Sequence, residues 1–405
     1  MLESHPVKNS LQKKLPKKEI HMLRCLRLLP FGIPLLLAFC LELTLPGAAH
    51  ADVYTVASGN SEQIPKQPQA TVDASGAVHV VYGMGNEVFY SRTAAVDGRF
   101  VKPVRAFAVP NMSLGMRRGP RICVTGNTIV ATAIGGKQGK GRDGDLLSWT
   151  SDNMGATWSG PVRVNDVESS AREGLHAMAA GTSGVVWSVW LDLRDPGTAI
   201  YCSRSDDGGK TWGPNKRAYS SPEKSVCECC HPSAFFHGKA LIVMFRNSLA
   251  GNRDMFVTTS VDNGETFTKA EQLGRGHWKL NACPMDGGML ATGPGGQLMT
   301  VWRREGSVYC CTGNEREQLL GQGHQPWIAA NENGSLIVWT SDRIGDLLVQ
   351  RAGNEAPALL AREAQDPIVV CGPKSDKAVV FWEGRHRSQP AILAESVNLK
   401  VPGKK

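Results

Sequence analysis

Cys227-Glu228-Cys229-Cys230-His231 and His277-Trp278-Lys279-Leu280-Asn281-Ala282-Cys283-Pro284-Met285 hold the densest soft-donor chemistry of the chain. Four thiols, imidazole and a thioether suit copper or zinc better than calcium, which takes oxygen ligands. Cys227, Cys229, Cys230, His231 and Cys283 are the candidate ligands. Cys-x-Cys-Cys-His lacks the two-residue ligand spacing of a zinc finger, so the same thiols fit a second reading. In it, one of Cys227, Cys229 and Cys230 reaches Cys283 in a disulfide, and Cys310 and Cys311 are vicinal or paired to Cys371 or Cys202. Of eleven cysteines, nine follow residue 51, an odd number that leaves at least one thiol free, ligated or intermolecular. The two phrases meet only if each opens a strand facing a shared axis.

A repeat supplies such an axis. Ser151-Asp152-Asn153-Met154-Gly155-Ala156-Thr157-Trp158, Ser205-Asp206-Asp207-Gly208-Gly209-Lys210-Thr211-Trp212 and Ser260-Val261-Asp262-Asn263-Gly264-Glu265-Thr266-Phe267 recur at intervals of 54 and 55 residues. A period of this size means one supersecondary unit used many times. In each copy an Asp or Asn accepts backbone N–H groups of its own turn, the Gly supplies a positive φ and the aromatic packs under the hairpin. Around the copies, short apolar runs alternate with turns. Units open near Gln67, Gly119, Leu175, Cys230, Pro284, Gln325 and Asp366, and the first has only a degenerate box near Asp97-Gly98. Seven units predict an all-β, seven-bladed propeller of four-stranded antiparallel blades, closed by a strand near Val53–Ala57 that pairs into the last blade and removes a sheet edge.

The boxes match the Asp-box, or bacterial neuraminidase repeat, and through them the chain resembles the sialidase-like β-propellers. That resemblance implies six blades instead of seven. It also implies three arginines around a sugar carboxylate, a Tyr nucleophile helped by a Glu, and an Asp acid/base. Arg121-Ile122-Cys123 stands where the family has Arg-Ile-Pro. Arg253, in the stretch from Leu241 to Ser260, matches the second arginine, and Arg303, beside Arg304, the third. Asp143 takes the acid position, with Asp145 as its rival, and Glu228 the helper position. The nucleophile departs from the pattern. Downstream of Arg304 the one tyrosine is Tyr309, and Trp327, whose indole forms no glycosyl intermediate, stands where the family has its Tyr.

Composition bounds the rest. Arg24 and Arg27, the apolar run Pro34–Leu41 and the small residues around Ala49-His50-Ala51 read as an export signal, with Met22 as an alternative start and Asp52 as the first mature residue. The apolar run is short for a spanning helix, so no stable membrane span is expected after cleavage. Residues 1–51 carry five Lys, two Arg and three Glu, which leaves +4 of the formal +8 for the propeller. No basic run with interleaved aromatics points to nucleic acid. Three functions stay open: an exported, periplasmic or extracellular sialidase-like protein that hydrolyses or binds an anionic glycan or other small anion; a noncatalytic scaffold that holds a protein partner on its rim; and a metal or redox protein built on the cysteines.

Overall fold

The computed structural model describes residues 53–93, 98–181, 183–313, 315–351 and 356–400. The expected export signal, 1–51, and Asp97 of the degenerate box lie outside the described residues. A closing strand β1 (Tyr54–Ser58) precedes a first sheet of β2 (Lys66–Val72), β3 (Val78–Met84), β4 (Glu87–Arg92) and β5 (Val104–Ala108). The second sheet is β6 (Arg121–Thr125), β7 (Thr128–Gly135), β8 (Asp145–Ser151) and β9 (Ser159–Arg163). The third is β10 (His176–Ala180), β11 (Val186–Asp192), β12 (Ala199–Ser205) and β13 (Lys216–Tyr219). The fourth is β14 (Ser233–His237), β15 (Ala240–Arg246), β16 (Met255–Ser260) and β17 (Glu271–Gln272). The fifth is β18 (Met289–Thr292), β19 (Leu298–Arg304), β20 (Ser307–Thr312) and β21 (Gln318–Gln322).

The last sheet is larger. β22 (His324–Asn331), β23 (Gly334–Thr340), β24 (Gly345–Arg351), β25 (Ala358–Cys371), β26 (Lys377–His386), β27 (Gln389–Asn398) and β1 form one seven-stranded antiparallel array. Within it β25 changes partners: Ala358–Ala364 pair with β24, and Gln365–Cys371 pair with β26. β1 pairs with β27, Tyr54 opposite Ala394 and Ser58 opposite Ala391, so the chain's two ends share one sheet. First strands touch in sequence, β2 to β6, β10, β14, β18, β22 and β25, and β25 returns to β2. They ring an axis.

Position in the ring explains composition. Second strands such as β7, β11 and β15 are buried almost end to end because sheets cover both their faces, and they read as continuous apolar runs. Trp187 and Val189 of β11 pack with Leu241, Val243 and Phe245 of β15 in one such intersheet core. Fourth strands β5 and β9 face solvent.

Each box is a local staple. In the second copy Ser205 Oγ donates to Asp207 at 2.8 Å, Gly209 N–H donates to Ser205 Oγ at 2.8 Å, and Thr211 N–H donates to Asp207 at 2.9 Å. Gly155, Gly209 and Gly264 have φ of 82°, 81° and 80°, a region side chains resist. A Cβ there would lie 2.1 Å from Tyr90, 2.5 Å from Val130 or 2.3 Å from Trp187, each in the preceding sheet. The glycine therefore lets two sheets close on each other.

Candidate functional site

Three first strands carry a polar residue followed by proline, Gln67-Pro68, Gln325-Pro326 and Asp366-Pro367, and a fourth such pair, His231-Pro232, stands just before β14. Proline offers no N–H to the ladder. In β2, β22 and β25 the register shifts there, between Lys66 and Gln69, His324 and Trp327, and Gln365 and Ile368. Gln67, Gln325 and Asp366 have φ of 56°, 56° and 48°. A left-handed non-glycine residue costs about 1–3 kcal/mol, and a bulge re-aims its side chain. All three side chains are buried.

They form one network. The Asp366 carboxylate accepts from Gln67 Nε2 at 2.6 Å and Gln325 Nε2 at 2.8 Å, and the Arg117 guanidinium lies 3.6 Å away. Glu383 accepts from the Gln67 N–H at 2.7 Å and from Gln365 Nε2 at 2.7 Å. Gln325 also donates its N–H to Asp286 at 3.3 Å, which links a second ion cluster. There Arg303 donates to Asp286 at 2.9 Å and to His324 Nδ1 at 2.9 Å, and Arg246 lies 3.6 Å from Asp286. Arg246 donates besides to the carbonyls of Arg253 and Arg303.

Arg117, Arg121, Arg246 and Arg303 are buried against three buried carboxylates, Asp286, Asp366 and Glu383. Burial first, and then the neighbouring Asp366, pushes Glu383 up to about 7. Burial and the adjacent Arg117 bring Arg121 down to about 9, still cationic at neutral pH. The mouth is therefore electropositive. His231 is held far below the ordinary histidine range by burial and by Arg117, Arg121 and Arg246. Its Nδ1 accepts the Gly287 N–H at 3.1 Å, which puts the ring proton on Nε2, a buried donor without a hydrogen-bond partner. Gln67 Oε1 and His176 Nδ1 are unpartnered in the same way. Trp327 packs against the His231 ring at 5.7 Å and under the Arg117 guanidinium at 5.0 Å. Behind it a cavity of about 480 Å³ runs along the first strands, from Arg121 and Trp327 at their openings to Val124, Ala330 and Cys371.

The residues expected to form a sialidase site are differently placed. Arg121 donates to the carbonyls of His176, Gly119, Pro120 and Arg117, so its guanidinium is engaged by backbone. Arg303 reaches the mouth and pairs there with Asp286. Arg253 lies between β15 and β16 beside Leu273, Trp302 and Arg304, and shares no described contact with Arg121. Arg246 provides the guanidinium beside Arg303 and Asp286. Arg304 pairs with Glu317 at 2.7 and 2.9 Å. Asp143 is a half-buried turn former: its carboxylate accepts from the N–H groups of Gln138, Gly139 and Lys137, which hold it below the usual carboxylate range. A general acid needs the opposite shift. Asp145 accepts from Asn165 and the Ser169 N–H, and Glu228 is exposed and accepts from Ser225 Oγ.

The cysteine cluster is smaller than the sequence implies. Cys227, Cys229 and Cys230 bring their sulfurs within 4.8 Å of one another, but neither His231 nor the exposed Cys283 joins that group. All nine described cysteines are free thiols. Cys202 and Cys371 lie on β12 and β25, in sheets other than that of Cys310 and Cys311 on β20, and none of the expected pairings, the vicinal one included, is formed.

Arg117, Arg246, Gln67, Asp366 and Glu383 were not marked as site residues by the sequence. A signal exists. Four second strands carry an aromatic followed by a polar residue in their later half, Phe245-Arg246, Trp302-Arg303, Trp339-Thr340 and Trp382-Glu383, and the polar-proline pairs stand in or just before first strands.

Residues 120–320 match the family described as BNR repeat-like domain. No curated protein sequence matches the chain. Among solved structures, a protein of unknown function from Dyadobacter fermentans is 14% identical with a TM-score of 0.54, over 88% of this chain and 100% of that one. An α-L-arabinanase from Penicillium chrysogenum, complexed with arabinobiose, is 12% identical with a TM-score of 0.51, over 86% and 98%. A sialidase from Streptococcus pneumoniae is 10% identical with a TM-score of 0.50, over 88% and 72%. At these identities the likeness is one of fold.

Proposed function

We propose that this chain, a sialidase-like β-propeller with BNR repeats, is an exported, seven-bladed binding protein that takes a small anion of the carboxylated-sugar class at the openings of its first strands. Seven blades follow from counting β25 twice, as the outer strand beside β24 and as the inner strand beside β26. Export follows from the basic, apolar and small-residue segments before Asp52. A sugar ligand is in keeping with the arabinanase of this fold that was complexed with arabinobiose.

The observation that carries the reading is the excess, at the mouth, of four buried guanidiniums over the three carboxylates Asp286, Asp366 and Glu383, with the His231 Nε2–H left without an acceptor. An anion supplies the missing charge and the missing acceptor. Hydrolysis by the sialidase route is a poorer fit. Trp327 replaces the nucleophile, and Asp143 is held ionised by three backbone donors.

Calorimetric titration with sialic acid, glucuronate, galacturonate and neutral arabinose tests the proposal. Binding of one or more of the acids, without turnover of a fluorogenic sialoside, is the expected result. Turnover of that sialoside, or no preference for acids over arabinose, would overturn it.

A further inference from the structure

The three clustered thiols are not needed by the anion site, and their geometry is that of a ligand set. Cys227 Sγ lies 3.6 Å from Cys229 Sγ and 3.6 Å from Cys230 Sγ, and all three sulfurs lie within 4.8 Å of one another. A metal–sulfur bond of about 2.3 Å places the sulfurs of a trigonal or tetrahedral site about 3.8–4.0 Å apart. A disulfide needs about 2.05 Å. The trio is also dry, with exposures of 2%, 8% and 2%.

We propose that Cys227, Cys229 and Cys230 bind one monovalent copper ion through three thiolates. The surroundings favour a soft cation over zinc. The fourth group packed on the trio is Met285, a thioether, held at a left-handed φ of 64°. The nearest imidazole, His231, has Nδ1 occupied by the Gly287 N–H. Zinc sites of the closed structural type take a fourth cysteine or histidine, and Cys283 is exposed and outside the group.

Charge is partly offset within the protein. Binding exchanges three S–H protons, released to solvent, for one cuprous ion, with no change of oxidation state. The product carries two negative charges, and the buried Arg246 guanidinium interacts with both Cys227 and Cys230. The ion would shield the thiols from oxidation in an exported protein.

The test uses the full chain, reduced and handled without oxygen, titrated with cuprous ion against a chromophoric cuprous chelator. One equivalent is expected to bind, with an all-sulfur first shell by X-ray absorption. Cys229→Ser should weaken binding at least a hundredfold, and Cys283→Ser should leave it unchanged. Circular dichroism and unfolding of each variant separate loss of a ligand from loss of fold. If Cys229→Ser does not fold, Cys227→Ser serves instead, with the same hundredfold loss and one fewer sulfur scatterer. No copper bound by folded, reduced protein would overturn the assignment, as would retention of zinc against excess cuprous ion. Recovery of Cys227 in a disulfide with either neighbour from protein made in an oxidising compartment would overturn it too. Failure of the sugar titrations leaves each of these readouts untouched.

Discussion

The boxes on the rim and the polar mouth at the axis both belong to the repeated sheets, but they are built from opposite kinds of contact. The hydrogen bonds that close each box turn stay within four residues, as from Thr211 to Asp207 or Gly264 to Ser260. Mouth bonds join residues 316, 299 and 250 apart, Gln67 to Glu383, Gln67 to Asp366 and Arg117 to Pro367. The rim repeats residue types, whereas the mouth repeats positions and varies the types. Repetition of sequence therefore marks what every blade needs, and departure from it marks where the molecule is specific. The same contrast predicts very different energies for single changes.

The largest effect belongs to the mouth. Arg246→Met leaves the Asp286 carboxylate without one of its two guanidiniums and takes a donor from three carbonyls, those of Asp286, Arg253 and Arg303, inside the protein. Removing one partner of a buried pair costs about 3–5 kcal/mol, read by urea unfolding. A loss under about 1 kcal/mol, the range of surface pairs, would mean that water reaches the cluster, and the contrast between mouth and rim would fail. The rim's worst change is steric. Gly264→Ala places a Cβ 2.3 Å from the buried Trp187 ring, which the β-sheet around it holds in place. Overpacking of this kind costs about 1–3 kcal/mol, with about 1–2 more for the left-handed φ. Gly238→Ala, at a φ of 63° with nothing within 4 Å, isolates the conformational part. Equal losses at both glycines would show that the box does not pack sheet against sheet.

That contrast also explains what could be read in advance. The box phrases exposed the period, and apolar second strands such as Leu298–Trp302 and Leu336–Trp339 marked the sheets because both their faces are covered. The closing strand near Val53–Ala57 was legible because an array of like sheets must seal its last edge. Arg121 and Arg303 could be picked as mouth residues. Arg253 was preferred to Arg246 on resemblance, although Arg246 follows Phe245 at the end of a second strand as Arg303 follows Trp302. The partners of these arginines stayed hidden for a physical reason. Gln67 stands in the polar run Lys66–Gln69 and Glu383 before Gly384-Arg385-His386, so neither stands out locally, and only ring closure between distant ends of the chain gives each the other as a partner.

Acidity separates the two regions with a smaller effect. Glu383 rises from the ordinary 4.5 to about 7, so between those values the folded protein holds a proton that the unfolded chain has released. Stability contributed by that proton is present below about 4.5 and is lost as pH rises through about 7. Anion affinity should fall over the upper part of that range, because ionised Glu383 offsets a guanidinium. Glu383→Gln should flatten both profiles. A mouth whose ligand affinity is the same at pH 6 and pH 8 would remove Glu383 from the binding electrostatics.

The smallest effect sits in the third box and has the opposite sign. Hydrogen bonds from the Thr266 hydroxyl, then from the Thr266 N–H, depress Asp262 to about 2. Its contribution is present above the ordinary 3.8 and is lost as pH falls through about 2. The first box already carries the neutral counterpart. Asn153 accepts the Thr157 N–H at 2.9 Å and donates from Nδ2 to Thr157 Oγ1 at 2.7 Å, so the threonine hydroxyl turns from donor to acceptor and the turn is kept. Asp262→Asn should therefore leave unfolding stability near pH 7 almost unchanged while reducing its slope between about pH 4 and pH 2, the range set by linkage. A substantial loss at neutral pH would mean that the third staple depends on its charge, and that the rim is not governed by local hydrogen bonding alone.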